Sequence, residues 1–258
     1  MKKFPVETVD ERATRLSQNF EIYRPEGNGP FAVVFMFHGC GRPTSPMVAY
    51  AETLQKAGIA AVLVDSYTPR DVNLVEAGTL ICTGLKFHGK ERSGDVVAAL
   101  HWAGSQDWIN KEKIGAAGWS HGGWTIMDAL SQEDKIGTNA YLNDIGKTPL
   151  ENLKFAFMVY PWCGAGSYSF AYGWRRHIPA HMIIGGRDMV VGDFFLNKTV
   201  ERLRRDGVDI ETTFFENATH SFDEQGTFHP AQRYSRKYTS MACDILLDFA
   251  QRKFGLQS

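Results

Sequence analysis

Gly118-Trp119-Ser120-His121-Gly122-Gly123 decides how this chain reads. Residues 113–119 predict a strand running into it, and residues 122–130 predict a short helix after it. A serine on a sharp strand-to-helix turn has its hydroxyl exposed at the sheet edge, the geometry of a nucleophile elbow. The flanking glycines fit that turn, because a Cβ at Gly118 or Gly122 would collide with neighbouring backbone. The helix start behind Ser120 would also aim N–H groups and a positive dipole end at developing negative charge.

Outward from the elbow the chain alternates strands and helices. Phe31–Phe37 is a continuous apolar run, as expected of a strand buried on both faces of a parallel sheet. Further strands are expected at 59–64, 155–160, 181–185 and 210–215. Helices are expected at 47–56, 91–105, 194–205 and 233–254. Residues 1–30 predict one or two short antiparallel edge strands, with Phe20–Tyr23 the best placed. The alternation predicts an α/β architecture with a mostly parallel central sheet and helices on both faces, a single domain spanning 1–258. Three long connections, 66–90, 131–152 and 161–178, interrupt the alternation. Those that leave strand C-termini lie where such sheets bind ligands.

Composition narrows the classes. The 258 residues carry 43% hydrophobic and 22% charged side chains, values of an ordinary globular protein. Lys+Arg number 28 against 29 Asp+Glu, a net charge of -1, which gives no electrostatic footprint for nucleic acid or an anionic membrane. The longest apolar runs are far shorter than the roughly 20 residues of a membrane span. No signal-peptide pattern opens the chain, so a cytoplasmic location is expected. Cys40, Cys82, Cys163 and Cys243 form no C-x-x-C pair, and four reduced thiols are expected, with a Cys82–Cys163 bridge as the alternative. The sequence leaves the oligomeric state open, a homodimer included.

A serine nucleophile needs a general base, and the base an orienting acid. Behind such an elbow the acid precedes the base in the chain. Asp188 follows the expected strand at 181–185, and His220 follows the one at 210–215, which makes them the favoured acid and base. Asp193, Asp65, His229 and His121 are the rivals. The oxyanion site should combine the backbone N–H of His121 with one from His38-Gly39-Cys40-Gly41, where Cys40 N–H is favoured over Gly41. His38 is expected to brace that loop. Trp162, Tyr172 and Trp174 in the aromatic 161–178 segment could wall a substrate pocket or form a small cap, and Arg187 could meet a substrate carboxylate. His177 and His181 flank Pro179, which breaks the helix that their spacing would need to bind a metal. No phosphate-binding glycine motif occurs. Neither cofactor nor metal is expected.

These residues together resemble the α/β-hydrolase superfamily, and within it the dienelactone hydrolase family with its serine-dependent esterases. The resemblance rests on His38-Gly39-Cys40-Gly41, Asp65-Ser66 with Pro69-Arg70, Glu91-Arg92 with Asp95, the elbow itself, Tyr160-Pro161, Gly185-Gly186-Arg187-Asp188 and His220-Ser221-Phe222. Dienelactone hydrolases proper carry cysteine where Ser120 stands and a glutamate near the place of Gly39. The resemblance implies an eight-stranded, mostly parallel sheet and hydrolysis of small esters or lactones through an acyl-enzyme. A peptidase or acyltransferase on the same triad is the alternative, and a non-catalytic binding protein a further one.

Overall fold

The computed structural model describes residues 5–41, 45–132, 135–146, 150–226 and 232–256. In chain order it contains β1 (Glu7–Thr8), α1 (Val9–Ser17), β2 (Phe20–Tyr23), β3 (Phe31–Phe37), α2 (Ser45–Lys56), β4 (Ala60–Val64), α3 (Leu74–Glu76), α4 (Gly89–Gly104), β5 (Ile109–Trp119) and α5 (His121–Gln132). Then follow α6 (Ile136–Ala140), β6 (Leu142–Asn143), β7 (Leu153–Val159), α7 (Tyr168–Tyr172), β8 (Ala180–Gly185), α8 (Asp193–Arg205), β9 (Ile210–Phe215) and α9 (Arg236–Phe254).

Among the described residues seven strands form the main sheet in the order β2-β4-β3-β5-β7-β8-β9, and there β2 alone runs antiparallel to its neighbour. Eight were expected. The shortfall lies at the N-terminus, where residues 9–17 form a helix instead of a second edge strand. Its start is fixed by a capping box: Glu11 N–H donates to Thr8 Oγ1 at 3.1 Å, and Thr8 N–H donates to Glu11 Oε2 at 2.8 Å. Such a cap contributes about 1 kcal/mol. β1 pairs with β6 in a separate two-stranded ribbon that the sequence reading did not anticipate.

Strand periodicity divides the core in two. Along β3, Val33, Phe35 and Phe37 enter one apolar cluster and Ala32, Val34 and Met36 the other. The first cluster is covered by α4, α5 and α8, the second by α2 and α9. Each Val, Phe or Met buried this way contributes on the order of 1.5–3 kcal/mol, so a strand apolar on both faces is stable only in the sheet interior. β5 is the middle strand. Because its neighbours are parallel, the loops after β3, β5, β7, β8 and β9 all emerge at one edge of the sheet.

Candidate active site

Ser120 stands between β5 and α5 with φ +49°, a left-handed conformation that costs a non-glycine residue energy and persists only when its surroundings enforce it. Three backbone hydrogen bonds do so. Ser120 N–H donates to Val159 O at 3.0 Å, and Ser120 O accepts from Trp124 N–H at 3.0 Å and Trp162 N–H at 3.1 Å. The glycines permit the close approach. A Cβ on Gly118 would lie 2.5 Å from the Gly122 carbonyl carbon, and one on Gly122 would lie 1.9 Å from Phe37 O.

His220 arrives on the loop after β9 and Asp188 on the loop after β8, and Arg187 N–H ties the two loops by donating to Ala218 O at 2.9 Å. His220 Nε2 lies 2.9 Å from Ser120 Oγ, and His220 Nδ1 lies 2.8 Å from Asp188 Oδ2. The other oxygen, Oδ1, accepts from the N–H groups of Val190 at 2.9 Å and Val191 at 3.0 Å. Asp188 is thus oriented from both sides, and its carboxylate can only accept from Nδ1–H. That leaves Nε2 as the acceptor for the serine hydroxyl. The imidazole also packs on the Tyr160 ring, with centroids 4.7 Å apart.

The rival residues are engaged elsewhere. Asp65 accepts from Tyr67 N–H, Thr68 N–H and Thr68 Oγ1. Asp193 is exposed at the start of α8, and His229 lies outside the described residues. The His121 side chain is buried between Arg92 Nη1, which donates to its Nδ1 at 3.0 Å, and Phe87 O, which accepts from its Nε2 at 2.8 Å. Burial first, then Arg92, holds its pKa well below the ordinary imidazole value, so the ring is a neutral strut.

Arg92 also braces the facing loop. It is fully buried and donates to His38 O at 2.8 Å and to Ser66 Oγ at 2.9 Å. His38 Nδ1 donates to Gly39 O at 2.8 Å, while Nε2 accepts from Ser66 N–H at 3.2 Å, and burial keeps this imidazole neutral too. One guanidinium therefore links the loop carrying Cys40 to the helix start carrying His121. Among the described residues no hydrogen bond occupies the backbone N–H of either Cys40 or His121.

A cavity of about 520 Å³ opens over Ser120 and His220, bounded by Cys40, His121, Trp119, Trp124, Tyr160 and Trp162 among others. Of the expected pocket residues, only Trp162 borders it. Tyr172 is 67% exposed and Trp174 is buried in the core, where its indole N–H donates to Ser169 Oγ. Both are corrections, with one cause. After Trp162 the segment turns away into α7, whose cap Ser167 and residue Tyr168 attach to Asp128 of α5. Arg187 is exposed and does not border the cavity either, because its backbone is committed to Ala218. Other parts of the lining come instead from Gly78, Ile81, Cys82 and Gly84 in the 66–90 connection, and from Pro46 and Met47 of α2.

Two further features escaped the sequence reading. Cys40 and Cys82 form a disulfide, Cα to Cα 5.4 Å, which corrects the expectation of four thiols; Cys163 and Cys243 are free and buried. Asp223, three residues beyond His220, lies buried under the site and accepts from Tyr50 Oη (3.0 Å), Trp119 Nε1 (3.0 Å) and Tyr160 Oη (2.5 Å). It props the ring on which His220 rests, and burial raises its pKa. His177 and His181 bond to Trp174 O and Thr213 Oγ1 respectively, and no group of three or more His, Cys, Asp or Glu among the described residues could hold a metal ion. No helix among the described residues is long and apolar enough to cross a membrane.

Solved structures of known proteins share this fold. Thermogutta terrifontis esterase 2, solved phosphorylated by paraoxon, aligns over 93% of this chain and 90% of its own with TM-score 0.66 and 16% identity. The dienelactone hydrolase-like promiscuous phosphotriesterase P91 from metagenomic libraries aligns over 88% and 89% with TM-score 0.64 and 16% identity. A putative dienelactone hydrolase from Klebsiella pneumoniae aligns over 89% and 90% with TM-score 0.65 and 13% identity. The chain has the α/β-hydrolase fold. The model of the prolyl oligopeptidase family matches residues 82–136, the part of the α/β-hydrolase fold from Cys82 through α4, β5 and the elbow to the end of α5. An Escherichia coli protein described as "Uncharacterized 31.7 kDa protein in traX-finO intergenic region" is 26% identical over 113 residues, 43% of this chain. The match spans only 37% of that relative's length.

Proposed function

We propose that the protein is a serine hydrolase that cleaves carboxylic esters or lactones of small substrates through an acyl-enzyme. The observation that carries this reading is the chain Ser120 Oγ–His220–Asp188, 2.9 and 2.8 Å long, whose Ser120 and His220 line the cavity. His220 takes the Ser120 proton on Nε2 as Oγ attacks the ester carbonyl. Asp188 holds the Nδ1 proton in place and stabilises the imidazolium that forms. The tetrahedral oxyanion accepts from the N–H groups of His121 and Cys40, worth about 3–4 kcal/mol per donor in comparable sites. Its collapse passes the proton from His220 to the leaving alcohol. Water, deprotonated by the same nitrogen, then releases the acid and restores Ser120.

The family match over residues 82–136 favours a second reading, in which the same triad cleaves amides. A panel of p-nitrophenyl esters, lactones and aminoacyl anilides separates the two. Short acyl esters and lactones should turn over fastest, with kcat falling about 10³-fold or more in Ser120→Ala. Faster cleavage of the anilides moves the assignment to a peptidase. No turnover of any substrate supports a binding protein.

A further inference from the structure

The Cys40–Cys82 disulfide joins two segments that line the catalytic cavity and are 42 residues apart in sequence. Cys40 supplies one of the backbone N–H groups assigned above to the oxyanion. Cys82 follows the single π-turn Ala77–Ile81, and with Gly78, Ile81 and Gly84 it forms the wall of the cavity. The wall's apolar anchor is the cluster of Tyr67, Val72, Ala77, Ile81 and Phe87, and His38 packs on it through the Tyr67 ring, with centroids 4.5 Å apart. Leu74, Val75 and Leu85 point outward at 65%, 74% and 69% exposure. The ion pair of Lys86 with Glu76, 3.1 Å, is part-exposed and of the kind that stabilises little. Among the described residues no hydrogen bond joins 73–85 to the 38–41 loop. On the far side, Arg92 fixes that loop at His38 O, two residues before Cys40. The disulfide is the covalent link between that loop and the 73–85 wall.

We propose that Cys82 is a positioning residue. Through its bond to Cys40 it holds the Cys40 N–H in the oxyanion site and keeps the wall closed over the acyl group, so that the oxidised protein is the active form. The inference rests on the Ser120 reading above. A dithiol reductant would open the bond by thiolate attack on one sulfur. Two electrons and two protons pass to Cys40 and Cys82, which become thiols, and the reductant ends as its own disulfide. The remaining cysteines do not confuse the effect. Cys163 and Cys243 are buried, and burial pushes each thiol up to about 12. In a reducing compartment the protein would stand in its weaker form, and in an oxidising one it would be held ready.

The test compares untreated and dithiothreitol-reduced full-length protein with the Cys82→Ser variant. Thiols are counted in denaturant, expecting two per chain before reduction and four after it, and kinetics are measured on p-nitrophenyl esters of two acyl sizes. Displacing an oxyanion donor should do less than removing it, which costs about 10²–10³. Reduction should therefore lower kcat by roughly 10- to 100-fold, with KM changing less, and narrow the discrimination between acyl sizes. Reoxidation should restore the wild type. Cys82→Ser should match the reduced wild type and ignore reductant. If that variant fails to fold, the reduced wild type, its melting transition retained, carries the test. Four thiols in the untreated protein, or unchanged kcat and discrimination in fully reduced protein, would overturn the proposal. A serine-directed phosphonate separates this failure from that of the underlying reading. Equal labelling rates in both redox states defeat the disulfide's role alone, whereas no labelling in the oxidised protein defeats both.

Discussion

Asp188→Asn is the substitution whose effect the geometry fixes most tightly. The two side chains are isosteric, but an amide has one acceptor and one donor end. Val190 N–H and Val191 N–H, at 2.9 and 3.0 Å, demand the acceptor at the Oδ1 position. The NH₂ must then face His220 Nδ1 at 2.8 Å. Nδ1 becomes an acceptor, the ring proton moves to Nε2, and Nε2 can no longer take the Ser120 proton across its 2.9 Å contact. The fold is untouched, yet the base is in the wrong tautomer. An amide in the orienting position of such a triad costs about 10⁴ in kcat, or roughly 5 kcal/mol of barrier at 1.36 kcal/mol per decade. KM should change little, because the cavity wall is unaltered. Steady-state hydrolysis of p-nitrophenyl acetate near pH 8, with the melting temperature as a folding control, measures both. Asp193→Asn, exposed on α8, should be silent. A loss under about tenfold in Asp188→Asn, or an equal loss in Asp193→Asn, would refute the assignment of Asp188 as the orienting acid.

Gly122→Ala should cripple activity and folding together, since its Cβ falls about 1.1 Å short of the 3.0 Å floor against Phe37 O; an elbow displaced by that much costs about 10² in kcat, whereas Gly104→Ala, with nothing within 4 Å, should fold normally. Trp162→Ala should shift kcat/KM unequally between short acyl and aryl esters because Trp162 borders the cavity, while Trp174→Ala should lower stability by about 3–5 kcal/mol and leave substrate ranking unchanged. Asp128, fully buried with Oδ2 taking no hydrogen bond among the described residues, is pushed up to about 7 by burial. The folded state therefore keeps a proton that the unfolded state releases near pH 4, and the resulting stability is lost as pH rises toward 7. Urea unfolding at pH 4.5 and 7.5 should show the wild type losing a few kcal/mol relative to Asp128→Asn; parallel pH curves would place the raised pKa elsewhere.

The sheet and the meeting of Ser120, His220 and Asp188 were legible because each is written locally. Phe31–Phe37 is apolar on both faces, which only an interior strand tolerates, and Gly118 and Gly122 announce a turn that no Cβ would allow. Asp188 and His220 were found because both stand just past a strand, and parallel strands deliver their C-terminal loops to one edge. The pocket wall was not legible. Tyr172 and Trp174 looked like an aromatic lining, but Asp128 on a distant helix draws their segment away, and no local pattern records that attachment. Ile81 and Cys82 reach the site through the 66–90 connection, whose described helical turns before α4 are only three to five residues long. Pairing of Cys40 with Cys82 depends on a Cα separation that spacing does not encode. Arg92 was visible as part of a familiar cluster, yet its contact with both His38 O and His121 emerges only from packing. Asp223 carried a faint signal, a carboxylate three residues past the base, but its three donors come from Tyr50, Trp119 and Tyr160, far apart in sequence.

The central claim is that Ser120 is the nucleophile. Its most direct test is to treat the purified protein with a serine-directed phosphonate and locate the adduct by peptide mass spectrometry. One adduct per chain is expected, on Ser120, formed in step with the loss of esterase activity and absent from Ser120→Ala. An adduct on another residue, or esterase activity that survives full labelling of Ser120, would contradict it.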